Sequence, residues 1–255
     1  MASSLADALR SHTSNGTYTP TRERFDTIES AIAAFKAGEF IVVLDDESRE
    51  NEGDLIIAAQ DITAAQMAFM IRYTSGIICT PLTGEIADKL ELPQMVNDNE
   101  DPNRTAYTIS VDAVAELGVT TGISASDRSL TCRTLAAKQP AKDSLRRPGH
   151  VFPLRARKGG VLERTGHTEA AVDFCRLAGK REVGVICEMV IDGDEVEGGK
   201  AERKGHGMMR RDECLDFGRR WGLRVVTIED LVAYRLKTEG KGLEGLENGV
   251  NGHSG

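Results

Sequence analysis

Residues 40–59 read FIVVLDDESRENEGDLIIAA, and their pattern is the strongest indication of the fold class. The apolar runs at residues 40–44 and 55–59 each have the length and composition of a buried β-strand. Six of the ten residues between them are carboxylates. The pattern therefore predicts two strands of one sheet that are joined by a strongly charged loop.

Helical and strand patterns alternate on either side of this stretch. A first helix is predicted at residues 27–37, with Asp26 as its N-cap and Gly38 after its end. Further strands are predicted at residues 77–80, 106–111, 150–154, 183–190 and 223–228. Further helices are predicted at residues 63–73, 126–137, 168–178, 211–221 and 229–237. Because hairpin-like connections occur beside helical crossovers, we expect an α/β fold with a mixed sheet and helices on both of its faces.

The chain contains one domain-sized segment between two polar ends. Residues 1–24 are rich in Ser and Thr, and residues 238–255 include six glycines. Neither end has enough apolar surface to offset the entropy of ordering it. We therefore expect two flexible tails around a single domain at residues 25–237.

Charge and composition exclude two classes of partner. A formal net charge of −8 and a pI of about 5.3 provide no basic face for nucleic acid or for an anionic membrane. No apolar run approaches the roughly 18 residues of a membrane span. The five cysteines form no CxxC pair, which is typical of free thiols in a reducing compartment. We expect a cytoplasmic protein, and the Ser-rich start with Arg10 leaves organelle targeting open.

The charged loop is the first candidate site. Repulsion among its carboxylates is costly unless cations offset it, and a hard divalent metal would do so. Glu50, Glu52 and Asp54 alternate, so in an extended loop they would project to one side. The alternative is a solvated hairpin tip, and composition alone leaves both interpretations open. A calcium loop of the EF-hand type is disfavoured, because Glu50 stands where its sharp turn needs glycine.

A second candidate site is the segment 159–170, GGVLERTGHTEA, in which glycines precede a predicted helix start. Unpaired amides and the positive end of a helix dipole favour a phosphate, which would meet Arg164, Thr165 and Thr168. His167 would complete a metal site with a carboxylate of the acidic loop. Taken alone, it is more often a solvent-facing cap.

Three further side chains have both a functional and a structural interpretation. His150 follows a turn into an apolar strand, where it is either a proton carrier or a core histidine. Glu188 lies within the apolar run 183–190, where an unpaired carboxylate costs several kcal/mol, so we favour a functional role. Cys79 either lines the same pocket or packs as a small apolar residue.

Five sequence blocks occur in one order along the chain. They are RENEGD (49–54), TSGIIC (74–79), TTGISASDR (120–128), RPGHVFPLRA (147–156) and GGVLERTGHTEAAVDF (159–174). Together they resemble the signature blocks of the 3,4-dihydroxy-2-butanone 4-phosphate synthase family. The resemblance implies a three-layer α/β/α fold, a homodimer with active sites at or near the subunit interface, and two Mg²⁺ (or Mn²⁺) ions per site. It also implies conversion of D-ribulose 5-phosphate to formate and 3,4-dihydroxy-2-butanone 4-phosphate.

The resemblance assigns roles to the candidate residues. Glu50 and His167 match metal ligands, and His150 and Glu188 match the catalytic side chains. The residues that match substrate-binding positions are Arg49, Glu50, Asp54, Cys79, Arg164, Thr165, Gly166, His167, Thr168 and Glu188. These assignments fall on the positions that the residue types had already indicated.

Two features set this chain apart from the family pattern. The segment 192–210 is longer than the connection usual in the family, and we interpret it as a mobile surface insertion. The chain also ends too early to hold the second domain of bifunctional members, so we expect a monofunctional enzyme. The alternatives are another metal-dependent sugar-phosphate enzyme and a binding module without turnover.

Overall fold

The computed structural model of the protein describes residues 25–247. Nine strands are present in this range: β1 (Ile41–Leu44), β2 (Gly53–Ala58), β3 (Cys79–Leu82), β4 (Val111–Ala113), β5 (Leu145–Arg155), β6 (Gly184–Glu188), β7 (Asp194–Glu195), β8 (Arg203–Lys204) and β9 (Arg224–Thr227). The helices, in chain order, are α1 (Ile28–Lys36), α2 (Ala64–Tyr73), α3 (Gly84–Lys89), α4 (Ala125–Leu135), α5 (His167–Leu177), α6 (Arg211–Trp221) and α7 (Ile228–Glu247).

Seven strands form one mixed sheet in the order β4-β5-β3-β6-β2-β1-β9. The pairs β1·β9 and β3·β5 are parallel, and the other neighbours are antiparallel. The strands β1 and β2 are the two apolar runs around the acidic loop, and they pair directly, with Leu44 opposite Gly53. The predicted mixed sheet is therefore confirmed.

Side chains on the two faces of the sheet belong to two separate apolar cores. On one face, α2, α4 and α6 contribute residues such as Met67, Leu135 and Phe217. On the other, α1, α5 and α7 contribute residues such as Phe35 and Phe174, whose rings lie 5.9 Å apart. Two helical layers thus cover the sheet, and the predicted three-layer, single-domain α/β/α fold is confirmed.

Two predicted boundaries are wrong for identifiable reasons. The N-cap of α1 is Thr27, whose hydroxyl accepts a hydrogen bond from Ser30. Asp26 instead accepts from the backbone of Val225 in β9. The predicted strand at 106–111 forms only isolated bridges before β4, because it runs beside Pro153, which has no N–H for a continuous ladder.

The final helix extends ten residues beyond the predicted domain end at residue 237 and reaches Glu247. Arg235 lies 2.7 Å from Glu239 one turn later, so a stabilising pair spans residue 237. The helix therefore continues into the segment that was predicted to be a flexible tail. The predicted tail at 1–24 lies outside the described residues, as does the segment 248–255.

The predicted insertion at residues 192–210 contains a two-stranded hairpin, β7 and β8. Most of its side chains are exposed, and its mobility stays a prediction. Its last residue, Arg210, turns back to the acidic loop and donates to the carbonyls of Glu50 and Asn51. Within the described range, no helix has the length and apolar character that a membrane span requires.

Candidate active site

The acidic loop between β1 and β2 is folded around the buried side chain of Asp45. One oxygen of Asp45 accepts from the backbone N–H of Glu52 at 2.9 Å. The other accepts from the backbone N–H of Glu50 at 3.0 Å and from Arg49 at 2.8 Å. The loop is therefore a closed turn and not the extended segment that the alternating carboxylates predicted. Asn51 adopts a positive φ of 55° within it.

His167 is the first residue of α5, and only 6% of it is exposed. Its Nε2 lies 3.2 Å from the carbonyl oxygen of Val43 in β1. Because a carbonyl can only accept, Nε2 carries a proton. The other ring nitrogen, Nδ1, is directed at the acidic residues, 3.6 Å from Glu50 and 4.0 Å from Asp54.

Several carboxylates surround the imidazole of His167 and change its pKa. Burial alone would lower the pKa of His167, but Asp54, Glu50 and Asp45 together raise it to about 9. The interaction with His167 and the Arg49 charge lower the pKa of Glu50 to about 2, against the effect of burial. Burial raises the pKa of Asp54 to about 7, and one of its carboxylate oxygens has no hydrogen-bond partner among residues 25–247. The site therefore has negative charge and acceptor capacity that a cation would satisfy.

The donor atoms suit a hard divalent cation. Asp45, Glu50 and His167 each offer a ligand atom, and these atoms lie within 4.8 Å of one another. The oxygens of Asp45 already accept hydrogen bonds within the loop, so Glu50 and the Nδ1 of His167 are the candidate direct ligands. Carboxylate oxygen and imidazole nitrogen fit Mg²⁺ or Mn²⁺, with water or substrate in the other positions.

Glu188 is brought beside the acidic loop by the register of the sheet. It ends β6 directly opposite Asp54 in β2, and directly opposite residues project from the same face. The Ser75 hydroxyl donates to a carboxylate oxygen of Glu188 at 2.7 Å. The backbone N–H of Ser75 also donates to the Glu188 carbonyl at 2.8 Å. Two bonds from one residue therefore fix both the backbone and the side chain of Glu188.

Arg164 precedes α5 and is held at three points. Its guanidinium donates to the buried carboxylate of Glu169 at 2.6 Å, to the carbonyl of Asn103 at 3.0 Å and to the hydroxyl of Thr105 at 3.2 Å. The Asn103 amide in turn donates to Glu50 at 2.7 Å. The segment 103–105 thus connects the acidic loop to the start of α5.

These side chains surround one cavity of about 90 Å³. Eight of the predicted site residues line it: Arg49, Glu50, Asp54, Cys79, Arg164, His167, Thr168 and Glu188. The cavity is lined mainly by charged and polar side chains, which suits a polar ligand. Glu52 also lines the cavity, so Glu50, Glu52 and Asp54 meet at one site although the loop between β1 and β2 is not extended.

Comparison with known proteins matches residues 29–234 to the family model of 3,4-dihydroxy-2-butanone 4-phosphate synthase. A protein of that name from Pyricularia oryzae is 62% identical over 220 residues, which cover 86% of this chain and 94% of the relative. One from Schizosaccharomyces pombe is 53% identical over 210 residues, covering 82% and 96%. A solved synthase in complex with two magnesium ions is 63% identical, with a TM-score of 0.83, and the match covers 85% of this chain and all of that one.

The chain belongs to the 3,4-dihydroxy-2-butanone 4-phosphate synthase family. The predicted family is therefore confirmed, together with the prediction of an enzyme of riboflavin biosynthesis. Magnesium as the cation is supported by the solved family member and by the cluster of Asp45, Glu50 and His167.

Three residues that the family resemblance placed in the site do not line the cavity. Gly166 is the N-cap of α5, and a Cβ at this position would lie 2.2 Å from the Arg164 guanidinium. Thr165 is exposed beside it. His150 lies in the long strand β5 with 42% of its side chain exposed, and its ring contacts Asp112. Its predicted catalytic role stays a prediction.

Sequence reasoning missed three residues that support the site. Asn103 lies in a loop without a periodic pattern, so no sequence signal separates it from its neighbours. Glu169 reads as an ordinary acidic residue in the first turn of a helix. Asp112 could have been found from the sequence, because it is a lone carboxylate in an apolar run. Glu188 was selected for the same reason.

Proposed function

We propose that this enzyme converts D-ribulose 5-phosphate to formate and 3,4-dihydroxy-2-butanone 4-phosphate, with a divalent metal. The observation that carries the proposal is the convergence of Glu50, Asp54, His167 and Glu188 on one cavity in a chain of this family. All atoms of the substrate are recovered in the two products. The reaction therefore needs no oxidant or reductant, only proton transfers and a carbon–carbon rearrangement.

The phosphate group is assigned to the start of α5. Arg164 and Thr168 line the cavity there, and the first backbone N–H groups of the helix supply additional donors. Glu169 holds the guanidinium in place before substrate arrives. Because the phosphate is not transformed, its binding energy serves to position the reacting carbons.

Metal ions are assigned to Glu50 and His167, with Mg²⁺ or Mn²⁺ as the cation and two ions per site. Bound divalent ions would stabilise negative charge on adjacent sugar oxygens and orient the migrating bond. Hydrogen bonds within the chain hold both ligand side chains in position. Val43 fixes the ring of His167, and Asn103 and Arg49 hold the Glu50 carboxylate.

Glu188 is assigned to proton transfer at the sugar carbons. It is half-buried at the edge of the cavity, and the Ser75 hydroxyl holds one of its oxygens while the other stays available. A fixed carboxylate at this position is suited to remove and return protons during enolisation and rearrangement. Arg49 and Asp54, which line the same cavity, would hold the sugar hydroxyls.

His150 is assigned to proton transfer in the active site of a second copy of the chain. It lies outside its own cavity on a half-exposed surface that includes the exposed apolar residues Ile77 and Ile123. In a twofold homodimer whose interface joins this patch to the partner's cavity, each His150 would reach the partner's active site. A cytoplasmic location is consistent with the five free, buried thiols.

The deciding experiment is formate release from the purified full chain and D-ribulose 5-phosphate. Formate and the four-carbon product should form in Mg²⁺, stop with EDTA, and return when Mg²⁺ is restored. Folded, metal-loaded dimer that releases no formate would refute the proposal.

Metal binding can be tested apart from turnover. The variants Glu50→Gln and His167→Ala should lose tight Mn²⁺ binding, measured by electron paramagnetic resonance, while circular dichroism stays unchanged. Glu47→Gln, an exposed carboxylate of the same loop, is the matched control and should bind Mn²⁺ as the parent does. Unchanged Mn²⁺ affinity in both site variants would refute the ligand assignment.

The shared active site can be tested with mixed dimers. His150→Gln and Glu188→Gln should each be inactive as homodimers. After subunit exchange, half of the dimers are mixed, and each of these has one intact site, so about one quarter of parent activity should return. No recovery despite proven exchange would place both residues in the same subunit's site.

A further inference from the structure

Asp112 lies in β4 where the pairing with β5 changes register. Val111 is opposite Val151, but Asp112 is opposite Arg146, so residues 147–150 loop out between these positions. The side chain of Asp112 is fully buried beneath this loop. One of its oxygens accepts from the backbone N–H of His150 at 2.8 Å, and the other accepts from Arg146 at 2.8 Å. One carboxylate thus connects the two ends of the loop.

The same carboxylate also contacts the imidazole ring. The Nδ1 atom of His150 lies 2.9 Å from the Asp112 oxygen that accepts from Arg146. A carboxylate paired with a guanidinium is an acceptor, so the proton of a neutral imidazole is placed on Nδ1. The Nε2 atom, on the opposite edge of the ring, is then an unprotonated base that can exchange a proton with a substrate.

Glycine makes room for this pair. Gly122 adopts a positive φ of 101°, and a Cβ at this position would lie 2.1 Å from the Asp112 carboxylate and 2.7 Å from the Nδ1 of His150. The TTG turn at residues 120–122 therefore covers the contact closely and limits rotation of the ring. The carbonyl of Thr121 in this turn also accepts from Arg146.

We propose that Asp112 is a positioning residue that fixes the orientation and the tautomer of His150, so that Nε2 performs the proton transfer. This inference rests on the proposed function, in which His150 acts in the active site. The contact has the form of a carboxylate–imidazole pair in which the carboxylate orients the ring and does not itself take the proton. Asp112 touches no substrate and acts through His150 alone.

The first test is spectroscopic and needs no turnover. Long-range ¹H–¹⁵N spectra of the full, metal-loaded chain labelled at histidine nitrogens distinguish Nδ1–H from Nε2–H, and the His150→Gln variant identifies the signals of His150. We expect the Nδ1–H form in the parent and a shift to Nε2–H in Asp112→Asn. The amide oxygen should keep the bond from the backbone N–H of His150, so the amide NH₂ group faces and donates to Nδ1, while the half-exposed Arg146 turns to solvent. Asp112→Glu, which keeps the carboxylate, should retain the parent tautomer.

A matched control separates this effect from general destabilisation. Asp173→Asn removes a fully buried carboxylate that accepts from Arg235 at 2.7 Å and does not contact His150. It should lower the melting temperature and leave the His150 signals unchanged. An Asp112→Asn protein that keeps the Nδ1–H form would overturn the proposal.

The second test is kinetic. In Asp112→Asn, kcat for formate release should fall roughly 10²- to 10⁴-fold, the usual contribution of a correctly placed proton carrier, with KM nearly unchanged. Asp112→Glu should recover part of kcat. A parent-like kcat in Asp112→Asn, despite the altered tautomer, would overturn the positioning role. If the parent itself releases no formate, the proposed function fails, and the spectra still decide whether Asp112 sets the tautomer.

Discussion

Glu169→Gln is a single substitution that tests how the phosphate end of the cavity is held. The Glu169 side chain is 1% exposed, and its two oxygens accept from the backbone N–H of Arg157 at 2.9 Å and from Arg164 at 2.6 Å. Glutamine keeps the first bond. Its amide N–H group then faces the guanidinium of Arg164, so two donors meet where a buried ion pair existed.

The size of the effect follows from the burial of the pair. Breaking a fully buried ion pair costs about 3–5 kcal/mol, but Arg164 is 16% exposed and keeps its bonds to Asn103 and Thr105. We therefore expect a loss of about 2–3 kcal/mol in the free energy of unfolding, or a melting temperature lower by about 4–12 °C. Freed from Glu169, Arg164 should bind phosphate less well, and KM should rise about tenfold.

Calorimetry and formate-release kinetics measure the two quantities on the same protein. Glu163→Gln is the matched control, because Glu163 is exposed and accepts from the backbone N–H of Gly159. It should change neither the melting temperature nor KM appreciably. If Glu169→Gln behaves like this control, Glu169 does not hold Arg164, and the reasoning is refuted.

Three further substitutions give distinct outcomes. Ser75→Ala removes the hydroxyl that donates to Glu188 and should lower kcat for formate release about tenfold, whereas Ser75→Thr should retain activity. Equal kcat in the parent and both variants would contradict this role of Ser75. Arg210→Ala should raise hydrogen exchange at residues 45–53 and the Mg²⁺ concentration for half-maximal activity, and parent-like values of both would show that Arg210 does not restrain the loop. Phe69→Ala removes a ring that packs against Trp221, so the free energy of unfolding should fall by about 2–3 kcal/mol. Tryptophan fluorescence in urea measures this change. A fall of less than about 1 kcal/mol would contradict the packing argument.

The sheet was predictable where burial alone determines structure. The short apolar runs predicted as strands became β1 and β2, and α6 has the predicted bounds Arg211–Trp221. The errors occur where contacts with residues distant in sequence determine the structure. Asp26 does not cap α1, because its carboxylate accepts a hydrogen bond from the backbone N–H of Val225 in β9. The segment at 106–111 forms no continuous ladder of backbone hydrogen bonds, because a proline lies opposite it in the neighbouring strand.

The candidate site was predicted through its chemistry and not through its geometry. Crowded carboxylates favour a nearby cation, and this argument selected Glu50 with His167 as its partner. The structure places the two side chains 3.6 Å apart although 117 positions separate them. The residues that support them were not predictable in the same way. Asp112 reaches His150 only because a register shift loops out four residues, and no local pattern encodes that shift.

The pairing of β1 with both β2 and β9 has a consequence for synthesis on the ribosome. One edge of β1 is covered by β2 soon after it is made, but the other waits for Arg224–Thr227, nearly at the end of the described chain. Until then, the nascent protein exposes an apolar strand edge that can pair with another chain. Prematurely terminated products that lack β9 should therefore aggregate, and cells that overproduce this enzyme should depend on chaperones to shield β1.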